Sequence, residues 1–198
     1  MKKIALVLVL NLMFAFSYAQ ELKGPSDGKS MVYFTRSSPF VLLYNFSYFD
    51  GGNYIGKFNN GKYIAYECAP GKHVFWSSSG GKTIEIGANK SYVQADLEVG
   101  KTYIIHSEVI VRVLTTDVKL VPFSNDPSSY RNKKQYNAKK QSVINSIVEG
   151  KQYNPTPQEQ SDDVVAFATL SKNGMEEYNK DLAKGKKFTQ MPEEMFYN

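Results

Sequence analysis

Cysteine, tryptophan and histidine are scarce in this chain. Its 198 residues include one cysteine, one tryptophan and two histidines. The single cysteine, Cys68, excludes any disulfide within the chain. Cys68 lies on the same predicted strand face as Ile64 and Tyr66, which favours a buried and unreactive thiol. The fold must therefore be held together by its core rather than by cross-links.

Residue patterns for catalysis and metal binding are also missing. Neither His73 nor His106 has a Cys, Asp or Glu at the spacing of a zinc site. The sequence has no Gly-x-Ser-x-Gly elbow, and the Ser-Ser-Ser-Gly-Gly run at 77–81 lacks the ending and the following helix of a phosphate loop. We therefore predict no catalytic residue, no metal ligand, no cofactor and no enzymatic activity.

No long apolar run follows residue 19. The first 19 residues resemble a secretory signal peptide, with Lys2 and Lys3 before an apolar stretch at 4–16 and a small-residue cleavage site ending at Ala19. That stretch is too short to span a bilayer comfortably, and no cysteine follows it as a lipid anchor. The cleavage junction resembles those of exported proteins of the Bacteroidetes. We expect cleavage near Ala19 and a periplasmic or secreted protein.

Charge of one sign is not in large excess. The predicted mature chain has 22 Lys and Arg (24 minus Lys2 and Lys3) against 19 Asp and Glu, a formal charge of +3. This value is too small to indicate a nucleic-acid partner. The run 131–140 has five basic residues and no acidic one. Such a run is usually a solvated helix face, and contact with a polyanion or an anionic lipid surface is the alternative.

Short runs of β-branched and aromatic residues, each closed by turn residues, dominate residues 29 to 124. Asn60-Gly61 and Pro70-Gly71 are the strongest turns. The predicted strands are 31–36, 41–49, 54–58, 63–69, 73–78, 83–86, 92–97, 102–114 and 118–123. Because no helical period separates them, the chain is predicted to be mainly β. We favour an antiparallel β-sandwich, immunoglobulin-like or similar, over a barrel.

The composition changes near Asn125, and residues 129–198 (the tail) are predicted to be mostly helical and partly flexible. Two apolar stripes at helical spacing end at Gly150 and Gly185, each a plausible C-terminal cap. Residues 150–153 and 185–188 echo each other, so each helix should be followed by an extended aromatic segment. Residues 154–163 are predicted to be a linker. The stripes consist of Val143, Ile144, Ile147 and Val148, and of Met175, Tyr178 and Leu182.

The tail has too few large aliphatic side chains to form a core by itself. It must therefore dock on the β domain, dock on a partner, or stay mobile. Turn residues separate the predicted strands of the β domain, and apolar and polar residues alternate along every strand. The sequence therefore predicts that residues 29–124 fold without the tail.

Several motifs resemble one bacterial family. They are the opening strand at 31–36, Gly-x-x-x-Asn-Gly-x-Tyr at 56–63, Pro-Gly-Lys-His at 70–73 and Gly-Lys-Thr-Tyr at 100–103. Over residues 29 to 123 the chain is similar to the family catalogued as domain of unknown function 2846. The resemblance implies an exported or envelope β-sandwich. It supplies no activity and no catalytic residues.

Aromatic residues are abundant, with 14 Tyr and 12 Phe. Tyr44, Tyr48 and Tyr66 share strand faces with aliphatic residues, which favours core positions over an exposed sugar platform. Trp76 is expected between the two sheets, with His73 on the opposite face of its strand. We predict a non-catalytic binding or scaffolding module of the cell envelope, with an envelope protein or glycan as partner. A carbohydrate-binding module is the alternative, and a hydrolase ranks third.

Overall fold

The computed structural model describes residues 22–36, 45–59, 61–79, 90–111 and 116–197. These residues form ten strands, one short 3-10 turn (Pro127–Ser129) and two α-helices. The helices are α1 (Lys133–Val148) and α2 (Pro157–Ala183). The strands are β1 (Ser30–Arg36), β2 (Phe46–Asp50), β3 (Asn53–Phe58), β4 (Lys62–Cys68), β5 (Gly71–Ser78), β6 (Lys90–Leu97), β7 (Thr102–Val111), β8 (Thr116–Pro122), β9 (Lys151–Gln152) and β10 (Thr189–Met191).

The predicted strands within these residues are confirmed to within a few residues at each end. The predicted strand 83–86 lies outside the described residues, as do 41–44, 112–114, Asn60 and the predicted signal peptide 1–19. Gly61 and Gly71, which close the two strongest turns, have φ of 79° and 106°. Glycine has no Cβ and adopts this left-handed region readily, so these residues place the ends of β3, β4 and β5.

The strands form two five-stranded sheets. The first has the order β8-β7-β1-β4-β9 and the second β10-β6-β5-β2-β3. The chain is therefore mainly β, as predicted. The expected purely antiparallel pairing is corrected, because β1 runs parallel to β7, β9 to β4 and β10 to β6. These partners are far apart in sequence, whereas turn residues specify only pairs joined by a hairpin.

One face of each sheet contributes to a common core. Tyr48 and Phe58 of the second sheet stack with ring centroids 4.6 Å apart, and Phe34 of the first sheet lies 5.3 Å from Tyr48. Buried aliphatic side chains from both sheets fill the rest of this core. The fully buried members include Val32, Phe34, Phe46, Tyr48, Phe75, Val93, Tyr103, Ile105 and Leu120.

The helices of the tail cover the other face of each sheet. Helix α1 packs on the first sheet through Tyr136, Val143 and Ile147. Helix α2 packs on the second sheet through Phe167, Leu170 and Tyr178. The tail therefore docks on the β strands, and the layers follow the order α1, first sheet, second sheet, α2.

Trp76 belongs to the layer between the second sheet and α2, not to the core between the sheets as expected. It is 0% exposed, stacks on Phe49 with a centroid distance of 3.9 Å, and donates from Nε1 to the Gly51 carbonyl at 2.9 Å. A Cβ on Gly174 of α2 would lie 2.3 Å from the indole ring. Glycine at this position therefore lets the helix approach the tryptophan.

Each helix is followed by a short parallel edge strand, although β10 lies just after the echoed residues 185–188. β9 pairs with β4 of the first sheet, and β10 pairs with β6 of the second. Gly185 ends α2 with φ of 79° and the paired hydrogen bonds of a glycine cap. Gly150 has no positive φ, so its predicted cap role is corrected. A Cβ there would lie 2.2 Å from the Ser146 carbonyl oxygen.

The predicted linker 154–163 is also corrected, because α2 begins at Pro157. The Thr156 hydroxyl accepts from the Glu159 backbone N–H at 3.2 Å, and the Glu159 carboxylate accepts from the Thr156 backbone N–H at 2.8 Å. Proline suits the first helical position because its missing N–H would have no partner there. No helix within the described ranges is long and apolar enough to cross a membrane.

Candidate functional site

A groove of about 550 Å³ opens where the outer edges of the two sheets meet the start of α2. β9 is the edge strand of the first sheet and β3 the edge strand of the second. Residues 153–156 connect β9 to α2. The lining residues are Lys57, Lys62, Lys151, Gln152, Tyr153, Asn154, Pro155, Glu159, Asp162 and Asp163.

Backbone hydrogen bonds fix the floor of the groove. The Lys151 N–H donates to the Gly61 carbonyl at 2.9 Å, and the Tyr153 N–H donates to the Tyr63 carbonyl at 2.7 Å. The Tyr153 ring then packs over Gly56, where a Cβ would lie 2.7 Å from the ring. The glycine on β3 therefore permits the two sheet edges to approach through this tyrosine.

An ion pair ties α2 to the second sheet at one end of the groove. Asp163 is 4% exposed, and its Oδ1 lies 2.8 Å from Lys57 Nζ. The Tyr54 hydroxyl donates to Asp163 Oδ2 at 3.2 Å. Burial raises the pKa of the Tyr54 phenol, and Tyr153 and the Asp163 carboxylate raise it further, so this hydroxyl keeps its proton. Both Asp163 oxygens therefore have donors, which suits a structural tie better than a catalytic base.

The other two acidic side chains of the groove also have partners. The Thr156 backbone N–H and hydroxyl donate to Glu159 and hold the pKa of that carboxyl below its usual value. Asp162 Oδ1 accepts from Gln158 Nε2 at 2.7 Å. A general acid at neutral pH needs a raised pKa. The pKa of Glu159 is instead lowered, so this carboxyl does not suit that role.

The wall formed by β4, β9 and the segment after β9 has polar side chains without partners. Lys62, Lys151, Gln152 and Asn154 are exposed. None of these four side chains hydrogen-bonds or ion-pairs with another residue in the described part of the chain. Their ammonium and amide groups can therefore donate to a ligand without breaking an internal bond.

The two histidines lie apart from the groove, on separate sheets. His73 of β5 lies on the strand face opposite Val74 and Trp76, as predicted, but this face is directed toward the core between the sheets and not outward. Its ring stacks there on Phe75. His73 Nδ1 lies 2.8 Å from Asp50 Oδ2, and its Nε2 lies 2.8 Å from the Ala69 carbonyl oxygen. The Asp50 hydrogen bond is the main cause of a raised His73 pKa.

The pKa of His106 on β7 is shifted in the opposite direction from that of His73. His106 is 3% exposed, with Nδ1 2.9 Å from Thr35 Oγ1. Burial, assisted by the charge of Lys139, lowers the pKa of His106 to about 3. Across the described residues, no group of three or more His, Cys, Asp and Glu side chains could hold a metal ion.

Cys68 is buried, as predicted, and its Sγ faces the Ser30 carbonyl oxygen at 3.9 Å. Burial, followed by the Asp50 charge, raises the pKa of the Cys68 thiol to about 12. Because the thiolate is the reactive form, this side chain is chemically inert near neutral pH.

The aromatic residues do not form an exposed row within the described ranges. No Tyr, Phe or Trp there is exposed, and the exposed large apolar residues are all Val, Ile or Leu. Tyr48 is buried and Tyr66 half-buried against the core, as predicted, while Tyr44 lies outside the described residues. A flat platform on a sheet face is therefore not formed by these residues.

The basic run 131–140 forms the first half of α1 and the turn before it. Arg131, Lys133 and Lys134 are exposed, whereas Lys139 pairs with Glu108 at 2.8 Å. Lys140 lies over the Tyr136 ring, 5.6 Å from its centroid. The interpretation as a mainly solvated helix face fits this arrangement.

Sequence reasoning missed the groove residues. The Thr156-x-x-Glu159 capping box was available as a signal for the start of α2. Comparison with family models, with curated proteins and with solved structures found no match to this chain. Geometry and chemistry alone therefore support a functional proposal.

Proposed function

We propose that this chain is an exported, non-catalytic binding or scaffolding module of a bacterial cell envelope. In this proposal the two sheets are a β-sandwich, and the groove between β3, β9 and α2 is the binding surface. The resemblance to domain of unknown function 2846 is compatible with this role and adds no activity to it. The partner is an envelope component.

The observation that carries the proposal is the unequal state of the groove walls. The carboxylates of Glu159, Asp162 and Asp163 each accept a hydrogen bond from within the chain. The polar side chains of the opposite wall have no such partner among the described residues. A concave surface with free hydrogen-bonding groups supports binding, and committed carboxylates do not support acid–base hydrolysis.

Groove-dependent capture tests the proposal. The mature chain is immobilised and exposed to a solubilised envelope fraction, beside the double variant Lys62→Glu/Lys151→Glu. The matched control is Lys134→Glu/Lys187→Glu, which reverses two exposed lysines outside the groove. We expect the groove variant to capture at least about tenfold less of the envelope component than the parent chain does. This ratio corresponds to a difference of about 1.4 kcal/mol in binding free energy. Equal capture by both variants would exclude the groove as the binding surface.

Export is tested by the intact mass of the protein recovered from the periplasm or medium. We expect a chain that begins at Gln20, because the small-residue site ends at Ala19. A chain that still begins at Met1, or one that carries a diacylglyceryl group, would contradict this part of the proposal.

A further inference from the structure

We infer that the ligand of the groove is a neutral, hydroxyl-rich glycan segment that lies across β9 and the first turn of α2. This inference rests on the proposed binding function and adds the chemical class of the ligand. It follows from the charge balance of the groove, from the hydrogen-bonding groups on its two walls, and from its aromatic floor.

The charges that line the groove cancel. Lys57, Lys62 and Lys151 supply three ammonium groups, and Glu159, Asp162 and Asp163 supply three carboxylates. A phosphorylated or sulfated ligand would be attracted by the lysines and repelled by the neighbouring carboxylates. A polycation would be attracted by the carboxylates and repelled by the lysines. The balance therefore favours a ligand without net charge.

The two walls offer complementary hydrogen-bonding groups. Glu159 and Asp162 are exposed on α2 and retain acceptor lone pairs, because the hydrogen bonds found for each reach a single oxygen atom. Lys62 and Lys151 donate from the facing wall, while Gln152 and Asn154 can donate and accept. A sugar hydroxyl both donates and accepts. Neighbouring hydroxyls of one ring can therefore bond to both walls, and bonds to charged groups are the stronger ones.

The floor of the groove is partly apolar. Tyr153 and Pro155, both half-buried, belong to the lining of the groove. A pyranose ring has an apolar C–H face that can pack on such a surface while its hydroxyls face the walls. The volume of about 550 Å³ is within the range of small-molecule sites. The aromatic contact here lies inside a groove, in contrast to the exposed row of a platform site.

Calorimetric titration of the full mature chain tests the inference. The probes are three neutral trisaccharides (maltotriose, cellotriose and N,N′,N″-triacetylchitotriose), with tripolyphosphate as the anionic comparison. We expect at least one trisaccharide to bind with a Kd below about 1 mM, and tripolyphosphate to bind at least about tenfold more weakly. The variant Gln152→Ala/Asn154→Ala should weaken trisaccharide binding at least about tenfold. The matched control Asn137→Ala/Asn179→Ala replaces two exposed helical amides outside the groove and should bind as the parent chain does.

The outcomes separate this inference from the proposed function. If no trisaccharide binds while envelope capture still depends on Lys62 and Lys151, the glycan assignment is overturned and the binding module stands. The glycan assignment also fails if tripolyphosphate binds more tightly than every trisaccharide. Trisaccharide binding that the Gln152→Ala/Asn154→Ala variant leaves unchanged would place the glycan elsewhere. Loss of both trisaccharide binding and groove-dependent capture would overturn both proposals. A circular dichroism melting curve equal to that of the parent chain confirms that each variant is folded.

Discussion

At the scale of single residues, His73 shows how two neighbours determine a protonation state. One ring nitrogen faces the Asp50 carboxylate and the other faces the Ala69 carbonyl. Both partners are acceptors, so both ring nitrogens must donate, and only the imidazolium form can do so. Tyr66 also donates to Asp50 Oδ2, at 3.2 Å. His73 is therefore a charged structural residue rather than a free acid–base group.

This geometry predicts that the stabilising effect of His73 depends on pH. The folded-state pKa of His73 is raised above the unfolded value of about 6.5. Its contribution is therefore fully present below about pH 6.5 and is lost as the pH rises through the folded-state pKa. We expect His73→Gln to lower the free energy of unfolding by about 1.5–3 kcal/mol at pH 6 and by less at pH 9. Urea denaturation at the two pH values measures both differences.

His106 must be separated from this effect because it acts in the opposite sense. The folded-state pKa of His106 is about 3, so the folded protein loses stability as the pH falls below the unfolded pKa. Both the parent chain and His73→Gln retain His106, and their difference removes its contribution. An equal difference at pH 6 and pH 9 would show that His73 is not charged in the folded state.

Gly174 gives a second prediction at this scale. Alanine usually stabilises a helix interior by about 1 kcal/mol relative to glycine. Here the new Cβ would lie 2.3 Å from the Trp76 ring, so we expect Gly174→Ala to destabilise the protein by about 1–3 kcal/mol instead. The exposed Asn179→Ala on the same helix is the control. Since Trp76 is the single tryptophan, a red shift of its fluorescence should accompany the substitution. A stabilised Gly174→Ala variant would contradict the close packing.

At the scale of the elements, local chemistry explains which predictions succeeded. β5 begins at Gly71, directly after Pro70, because the turn residues limit the backbone there. The parallel pairing of β1 with β7 could not be predicted in this way. Met31 pairs with Thr102, and no turn connects residues so far apart.

The start of α2 was predictable and was missed. Thr156, Pro157 and Glu159 form a capping box with proline at the first helical position. The polar composition of residues 154–163 pointed to a linker instead. Composition indicates whether the side chains of a segment prefer solvent. The capping residues indicate whether the backbone N–H groups at the start of a helix have hydrogen-bond acceptors.

The capping box gives a prediction for this element. We expect Thr156→Ala to lower the free energy of unfolding by about 1 kcal/mol, because the Glu159 N–H loses its acceptor. Amide hydrogen exchange should accelerate in the first turn of α2 and remain unchanged in α1. The conservative Thr156→Ser keeps a hydroxyl acceptor and should restore most of the loss. If exchange in the first turn is unchanged in Thr156→Ala, packing rather than the cap determines the start of the helix.

At the scale of the whole molecule, long-range pairing creates the groove. Lys57 and Asp163 are 106 residues apart in sequence, and Tyr54 and Asp163 are 109 apart. No local pattern predicts that these side chains meet. The helix stripes predicted that α1 and α2 exist, but not that they cover opposite sheets. The candidate site therefore became visible only in the folded chain.

The tail packs on both sheets, which bears on the expectation that residues 29–124 fold alone. The tail contributes an edge strand to each sheet and the buried side chains that cover both outer faces. The residues that follow β10 of the second sheet also bond to β7 of the first sheet. The Tyr197 N–H donates to the Thr102 carbonyl at 2.8 Å, and the Tyr103 hydroxyl donates to the Glu193 carbonyl at 2.7 Å. A chain that ends at Asn125 would leave Trp76 and Phe49 uncovered.

We therefore expect a chain comprising residues 20–125 to lose cooperative unfolding. Phe167, Leu170, Val143 and Ile147 are buried in the full chain, and each contributes about 1.5–3 kcal/mol. Their sum is comparable with the 5–15 kcal/mol by which a whole domain is stable. Urea denaturation followed by tryptophan fluorescence measures the effect, because Trp76 lies beneath α2 and should become solvated. If the truncated chain unfolds at the same urea midpoint as the full chain and keeps Trp76 buried, the β strands fold without the tail. In that case the groove, which needs both β9 and α2, would be an addition to an independent β domain.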